Sequence, residues 1–110
     1  MVEGQAHGGI VQGIGQALME RVSFDEDGQV LSGSYMDYAL PRADDAPSRS
    51  FISHPVPAKT NGLGAKGCGE AGCAGALPAV MNALVDALGG RHIDMPATAE
   101  RVWAVIQAGT

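Results

Sequence analysis

The stretch Asn61-Gly62-Leu63-Gly64-Ala65-Lys66-Gly67-Cys68-Gly69-Glu70-Ala71-Gly72 carries glycine at positions 62, 64, 67, 69 and 72. A run so poor in β-carbons is too flexible to form a stable helix or strand by itself. It is tolerated where the backbone must pass close to something else or adopt positive φ. One carboxylate, Glu70, sits inside it, with Lys66 and Cys68 as the nearest side-chain bulk. A lone acid on a thin, shaped loop has the reach and the lack of cover that a general base needs. The same residue also fits a plainer role, as a first-turn or capping acid favoured by a helix dipole.

With 110 residues the chain is long enough for one small domain and a modest core. The formal net charge of −5, with no basic run, argues against nucleic acid as a partner. The N-terminal residues Met1 to His7 lack the basic and apolar regions of a signal peptide. No apolar stretch is long enough to span a membrane. Two cysteines, Cys68 and Cys73, are not a disulfide framework, and their spacing is no zinc site without further ligands. They read as small, half-buried thiols, and a cytoplasmic location fits this usage.

Glu3 to Arg21 reads as a helix, with Ile10, Val11, Ile14, Ala17, Leu18 and Val22 at helical spacing. Gly4, Gly8, Gly9, Gly13 and Gly15 lie in the same segment, and each interior glycine costs about 1 kcal/mol against alanine. Packing must therefore hold this helix, with the glycines marking a face where another backbone or a ligand comes close. Gln5, His7, Gln12 and Gln16 are either a solvated face or ligand-facing groups. His7 has no second histidine four residues on, which weakens a metal reading.

Val22 to Phe24 and Gln29 to Leu31 flank Asp25-Glu26-Asp27-Gly28, the pattern of a hairpin. Gly33 to Leu40 reads as extended up to Pro41, residues 42–49 as an exposed loop, and Phe51 to His54 as another short strand. Leu77, Val80, Met81, Leu84, Val85 and Leu88 form one apolar helical stripe, with Pro78 placed in its first turn and Gly89-Gly90 stopping it. A last helix is predicted over Ala99 to Gln107, capped by Thr98, with Trp103 as packing. The expected class is α+β: three helices with a few short, mostly antiparallel strands. So few short strands cannot cover two apolar helix faces, so this reads as an incomplete part of a larger domain.

Gly62-Leu63-Gly64-Ala65-Lys66-Gly67 matches the dinucleotide fingerprint as a string only. Prolines precede it where a strand is needed, and no acid ends a following strand. The phosphate-loop pattern fails because Gly67 follows Lys66 where serine or threonine is required. No Ser-His-Asp or Cys-His arrangement can be argued from spacing. Cys68 beside Lys66 could be an activated thiol, but a pocket-lining thiol is the plainer reading.

Five blocks then occur in order. They are Val2-Glu3-Gly4-Gln5-Ala6-His7-Gly8-Gly9, Gln12-Gly13-Ile14-Gly15-Gln16-Ala17-Leu18-Met19-Glu20, Gly33-Ser34-Tyr35-Met36-Asp37-Tyr38-Ala39-Leu40-Pro41, Gly64-Ala65-Lys66-Gly67-Cys68-Gly69-Glu70-Ala71-Gly72 and His92-Ile93-Asp94-Met95-Pro96-Ala97-Thr98. Together they resemble the C-terminal end of the molybdenum-cofactor-binding large subunit of the xanthine dehydrogenase, aldehyde oxidase and aerobic carbon monoxide dehydrogenase family. The resemblance covers nearly the whole chain and is specific for the family, not for the substrate.

That resemblance implies that residues 1–110 are one incomplete, C-terminal portion of a molybdopterin-binding domain. It implies Glu70 as the general base in the oxidative hydroxylation of an aldehyde, N-heterocycle or similar small molecule, with water as the oxygen source. A base facing a dry, apolar pocket is suited to such work. The backbone amides of Gly67, Cys68 and Gly69 would donate to the anionic ligand of a molybdenum–molybdopterin cofactor in its cytosine dinucleotide form. The glycine-rich first helix would be the surface that approaches it. No residue of this chain is expected to ligate the metal. Iron–sulfur clusters and FAD would lie on partner subunits, and the remainder of the large subunit would be a further partner. Family members carry a cofactor-facing glutamine just before the first block, where Met1 stands here, so the chain is not expected to hold the cofactor alone. Two other classes stay open: a noncatalytic piece completing a partner's fold, and a free nucleotide-binding module.

Overall fold

The computed structural model describes residues 1–109. Its helices are α1 (Val2–Leu18), α2 (Ala71–Ala87) and α3 (Ala99–Gln107), with a 3-10 turn at Ala43–Asp45. Between α1 and α2 the backbone is otherwise irregular. The predicted hairpin is reduced to a single antiparallel bridge, Phe24 with Val30, closed over Gly28 at φ 82°. The expected strands at 33–40 and 51–54 do not form among the described residues. Strands need edges to pair with, and this chain supplies none at those places. The α+β expectation therefore holds for its helices and fails for its sheet.

α1 and α2 lie against one another with almost no side chain between them. A β-carbon on Gly9 would stand 2.9 Å from the Cys73 nitrogen, and one on Gly13 would stand 2.7 Å from the Ala76 β-carbon. From the other side, a β-carbon on Gly72 would collide with the Ala6 carbonyl oxygen and reach 2.9 Å from the Ile10 nitrogen. Glycine is thus what allows this crossing, and the crossing is what holds two glycine-rich helices together against their poor propensity.

This also explains why α2 begins at Ala71 and not near Leu77. Gly72 and Gly75, helix-breaking by composition, lie inside it. Pro78 consequently falls in the helix interior and not in the first turn. At the far end α2 stops as predicted. Gly89 and Gly90 take φ 69° and 82°, and the Gly90 N–H reaches back to the Val85 carbonyl at 2.8 Å. α3 has the predicted bounds, with the Thr98 side chain accepting from the Arg101 N–H at 3.4 Å.

The core proper is small. Leu88, Ile93 and Ala97 are buried, with Leu18, Met81, Leu84, Val85, Val102 and Val105 packed around them. Trp103, expected to pack, is 63% exposed, because α3 turns Val102 and Val105 inward instead. Arg91 donates to the carbonyls of Leu88 and Val105, tying the end of α2 to α3. Arg101 does the same for the Met95 and Pro96 carbonyls, at 3.2 and 3.1 Å. The chain exposes 8283 Å². A compact monomer of this mass would expose about 5,700 Å². The radius of gyration is 17.6 Å, where a compact chain of this length gives about 13 Å. A surface this large fits one part of a larger domain.

Candidate active site

Glu70 is the residue on which α2 starts. Its φ of −99° and ψ of −6° already approach the helical region, and the Ala74 N–H donates to its carbonyl at 3.0 Å. Its side chain makes no capping hydrogen bond. Of the plainer reading of this acid, the side-chain cap is absent, while its place at the head of α2 still suits an acid favoured by the helix dipole. The carboxylate is exposed, and among the described residues it has no ion-pair partner. It borders an open concavity shared with Gly67, Gly69, Ala71 and Ala74.

The loop before it is held at both ends. The Asn61 side chain donates to the Ala65 carbonyl at 3.0 Å and accepts from the Ala65 N–H at 2.9 Å. Gly64, at φ 64°, lies close to Pro57, and its carbonyl accepts from the Ala58 N–H at 3.0 Å. At the other end the Ala71 N–H donates to the Cys68 carbonyl at 3.3 Å, closing the turn into α2. Between these anchors, the N–H groups of Gly67, Cys68, Gly69 and Glu70 donate to no acceptor among the described residues. Gly67 and Gly69 have nothing within 4 Å of where a β-carbon would stand. Free backbone donors at the start of a helix are receptive to an anion.

Cys68 is half-buried under the same loop, with its Sγ 4.0 Å from the Val2 carbonyl in the first turn of α1. Cys73 lies on the crossing side, its Sγ 4.0 Å from the Gln16 side-chain oxygen. Gln5, Gln12 and Gln16 are exposed, whereas His7 is half-buried, with its Nε2 buried and unpartnered. Among the described residues, no three of His, Cys, Asp and Glu come together as metal ligands. Lys66 is exposed and has no ion-pair partner among the described residues, and it shares with His54, Pro55, Pro57 and Leu63 a concavity separate from that of Glu70.

The structure thus brings Glu70, Gly67, Cys68 and Gly69 together at one end of α2, beside the start of α1. It divides the glycines of α1 in three, with Gly15 set against Glu20 and Pro41. Gly9 and Gly13 face α2, while Gly4 and Gly8 meet nothing within 4 Å. Sequence reasoning found the glycine face but not what fills it, although Gly9 and Gly13, one turn apart, were the available signal. It also missed that the Tyr38 hydroxyl donates to the Glu20 carboxylate at 2.7 Å, clamping residues 34–41 to the end of α1.

Residues 1–47 match the molybdopterin cofactor-binding domain family. The large chain of carbon monoxide dehydrogenase from Afipia carboxidovorans is 38% identical over 108 residues, covering 96% of this chain and 13% of that protein. The large subunit of nicotine 6-hydroxylase from Paenarthrobacter nicotinovorans is 40% identical over 93% of this chain and 13% of its own length. Among solved structures, a Cu,Mo-containing carbon monoxide dehydrogenase superposes with a TM-score of 0.87 at 37% identity, over 97% of this chain and 14% of that one. Quinoline 2-oxidoreductase from Pseudomonas putida 86 superposes with a TM-score of 0.84 at 37% identity, over 96% and 14%. The chain spans about 13% of the length of the curated relatives it matches. It belongs, as one segment of a large subunit, to the molybdenum-binding family of xanthine dehydrogenase and carbon monoxide dehydrogenase.

Proposed function

We propose that this chain forms part of a molybdenum hydroxylase that oxidatively hydroxylates an aldehyde, N-heterocycle or similar small molecule with water as the oxygen source. In this reading Glu70 is the general base. The observation that carries it is the state of Glu70 itself: a carboxylate at the head of α2, uncapped and unpaired, on a loop with no neighbouring bulk. A carboxylate that only stabilised its helix would be expected to turn back onto the free N–H groups.

The residues present fit a molybdenum–molybdopterin cofactor as part of its cradle and not as its metal ligands. Gly67, Cys68 and Gly69 offer N–H groups that no acceptor among the described residues engages, and Gly67 and Gly69 have open space where a β-carbon would stand, a backbone suited to the anionic part of the cofactor, in its cytosine dinucleotide form. When bound, the cofactor supplies the oxygen derived from water and takes up the two electrons of the oxidation. The work of this chain is narrower. The N–H groups of 67–69 orient the anion, and Glu70 accepts the proton released as the oxygen attacks carbon. The loop lacks side chains that would keep a small substrate at a distance. The remainder of the large subunit closes the site against water. Partner subunits holding iron–sulfur clusters and FAD carry the electrons away, in the cytoplasm.

A second reading, a noncatalytic piece that completes a partner's fold, draws on the small core and the large exposed surface. One experiment separates the two. The chain is co-expressed with the upstream part of its large subunit and its partner subunits. Turnover of carbon monoxide, quinoline or benzaldehyde is then measured with a dye acceptor, for the parent and for Glu70→Gln. The expected outcome is intact molybdenum content with turnover reduced by about 10²–10⁴-fold. Full turnover in Glu70→Gln rejects the base assignment. Stoichiometric molybdenum on the purified chain alone would reject the shared cradle.

A further inference from the structure

Resting on Glu70 as the base, we infer that Gly72 is a positioning residue for the reaction, because its contact with α1 fixes where the Glu70 loop stands. Gly72 lies two residues beyond Glu70. A β-carbon there would collide with the Ala6 carbonyl oxygen and stand 2.9 Å from the Ile10 nitrogen. Both are backbone atoms of α1, so neither can rotate away as a side-chain end would. Gly9 presses on the same place from the opposite side, its β-carbon position 2.9 Å from the Cys73 nitrogen and 3.2 Å from the Gly72 α-carbon. Two backbones in contact form a stop with no soft material in it. The first turn of α2 cannot approach α1 more closely, and one methyl group at position 72 must push it away by on the order of 1 Å.

The loop is the part that would move. Residues 67–70 run directly into this turn, and beyond the hydrogen bonds within it the described residues give them only the weak bond from the Cys68 thiol to α1. The Cys68 thiol lies 4.0 Å from the Val2 carbonyl, so it reports the gap between the loop and α1. Gly13 makes a contact about as tight as that of Gly9 further along the same crossing, with the Ala76 β-carbon at 2.7 Å and the Leu77 nitrogen at 2.9 Å, away from the loop. Gly75, in the same helix, meets nothing within 4 Å. The crossing therefore contains its own controls.

The test uses the full large subunit assembled with its partner subunits, in Gly72→Ala, Gly9→Ala, Gly13→Ala, Gly75→Ala and Glu70→Gln forms. Turnover of carbon monoxide, quinoline or benzaldehyde is measured alongside the rate at which iodoacetamide alkylates Cys68, read by mass spectrometry. Gly72→Ala is expected to lower kcat by about 10²-fold with KM little changed, and to speed Cys68 alkylation. Gly9→Ala is expected to do both to a smaller degree. Gly13→Ala is expected to lower the melting temperature while leaving kcat and alkylation within about twofold of the parent, and Gly75→Ala to leave kcat and alkylation unchanged without lowering the melting temperature. If Gly72→Ala does not assemble, Gly9→Ala carries the test. Failure of both to assemble counts against the inference, since the crossing would then serve folding alone. The inference is also overturned if Gly13→Ala lowers kcat as far as Gly9→Ala does. Full kcat in Gly72→Ala with Glu70→Gln inactive overturns the positioning role alone. Full kcat in Glu70→Gln overturns the assignment of the base.

Discussion

α2 meets α1 at its start through glycine, and meets the rest of the chain at its end through leucine, isoleucine and alanine. At the first end Gly9, Gly13 and Gly72 bring backbone onto backbone, and the contact has no room for another atom. At the second end Leu88, at 4% exposure, Ile93 and Ala97 fill a space with side chains, and the contact has no atom to spare. One helix is therefore vulnerable to addition at one end and to removal at the other. A close crossing gains little from buried apolar area, but it places its helices within a few tenths of an ångström. A side-chain core gains more free energy and tolerates more rearrangement.

The comparison breaks most visibly at the side-chain end. Leu88→Ala is expected to destabilise the chain by about 2–5 kcal/mol in urea unfolding followed by the helical dichroism signal. A smaller loss than that of Gly13→Ala would show that the small core is not the stronger of the two. Gly13→Ala, an addition, is expected to lose about 1–3 kcal/mol in the same measurement. Gly75→Ala tests whether the penalty belongs to the crossing or to α2 in general. With nothing near it and no positive φ, it is expected to stabilise the chain by about 0.5–1 kcal/mol.

The smallest effect concerns the clamp beside the crossing. The hydrogen bond to Glu20, then burial, then the charge of Glu20 raise Tyr38 above its ordinary value of 10.0. The folded chain thus holds the phenol proton more tightly than the unfolded chain. The associated stability is present in full below about pH 10 and is lost as pH rises through the higher folded value. Tyr38→Phe is expected to lower the urea midpoint slightly at about pH 8, with the difference from the parent shrinking at more alkaline pH.

The same contrast explains what the sequence disclosed. The side-chain end was legible: the stripe from Leu77 to Leu88, the stop at Gly89-Gly90 and the bounds and cap of α3, though not the outward turn of Trp103, follow from periodicity and capping, which are local. The glycine end was not. Gly72 reads as a helix breaker until α1 is placed against it, so the start of α2 was set too late and Pro78 was placed in the wrong turn. The strands at 33–40 and 51–54 misled for the opposite reason. Their residues favour extension, but extension becomes a sheet only beside a partner edge. For the site, the lone acid and the bare loop were readable from composition. A capping place for Glu70 at the head of a helix was readable too; that its side chain would be left unused for capping was not.

The uncovered surface has a consequence in time. Tyr35, Met36, Ile52 and Leu63 are each at least 86% exposed, and apolar groups left in water meet one another at a rate that climbs with concentration. Left in water, a chain with this surface is open to association with its own copies, and its monomer is expected to disappear faster the more concentrated it is.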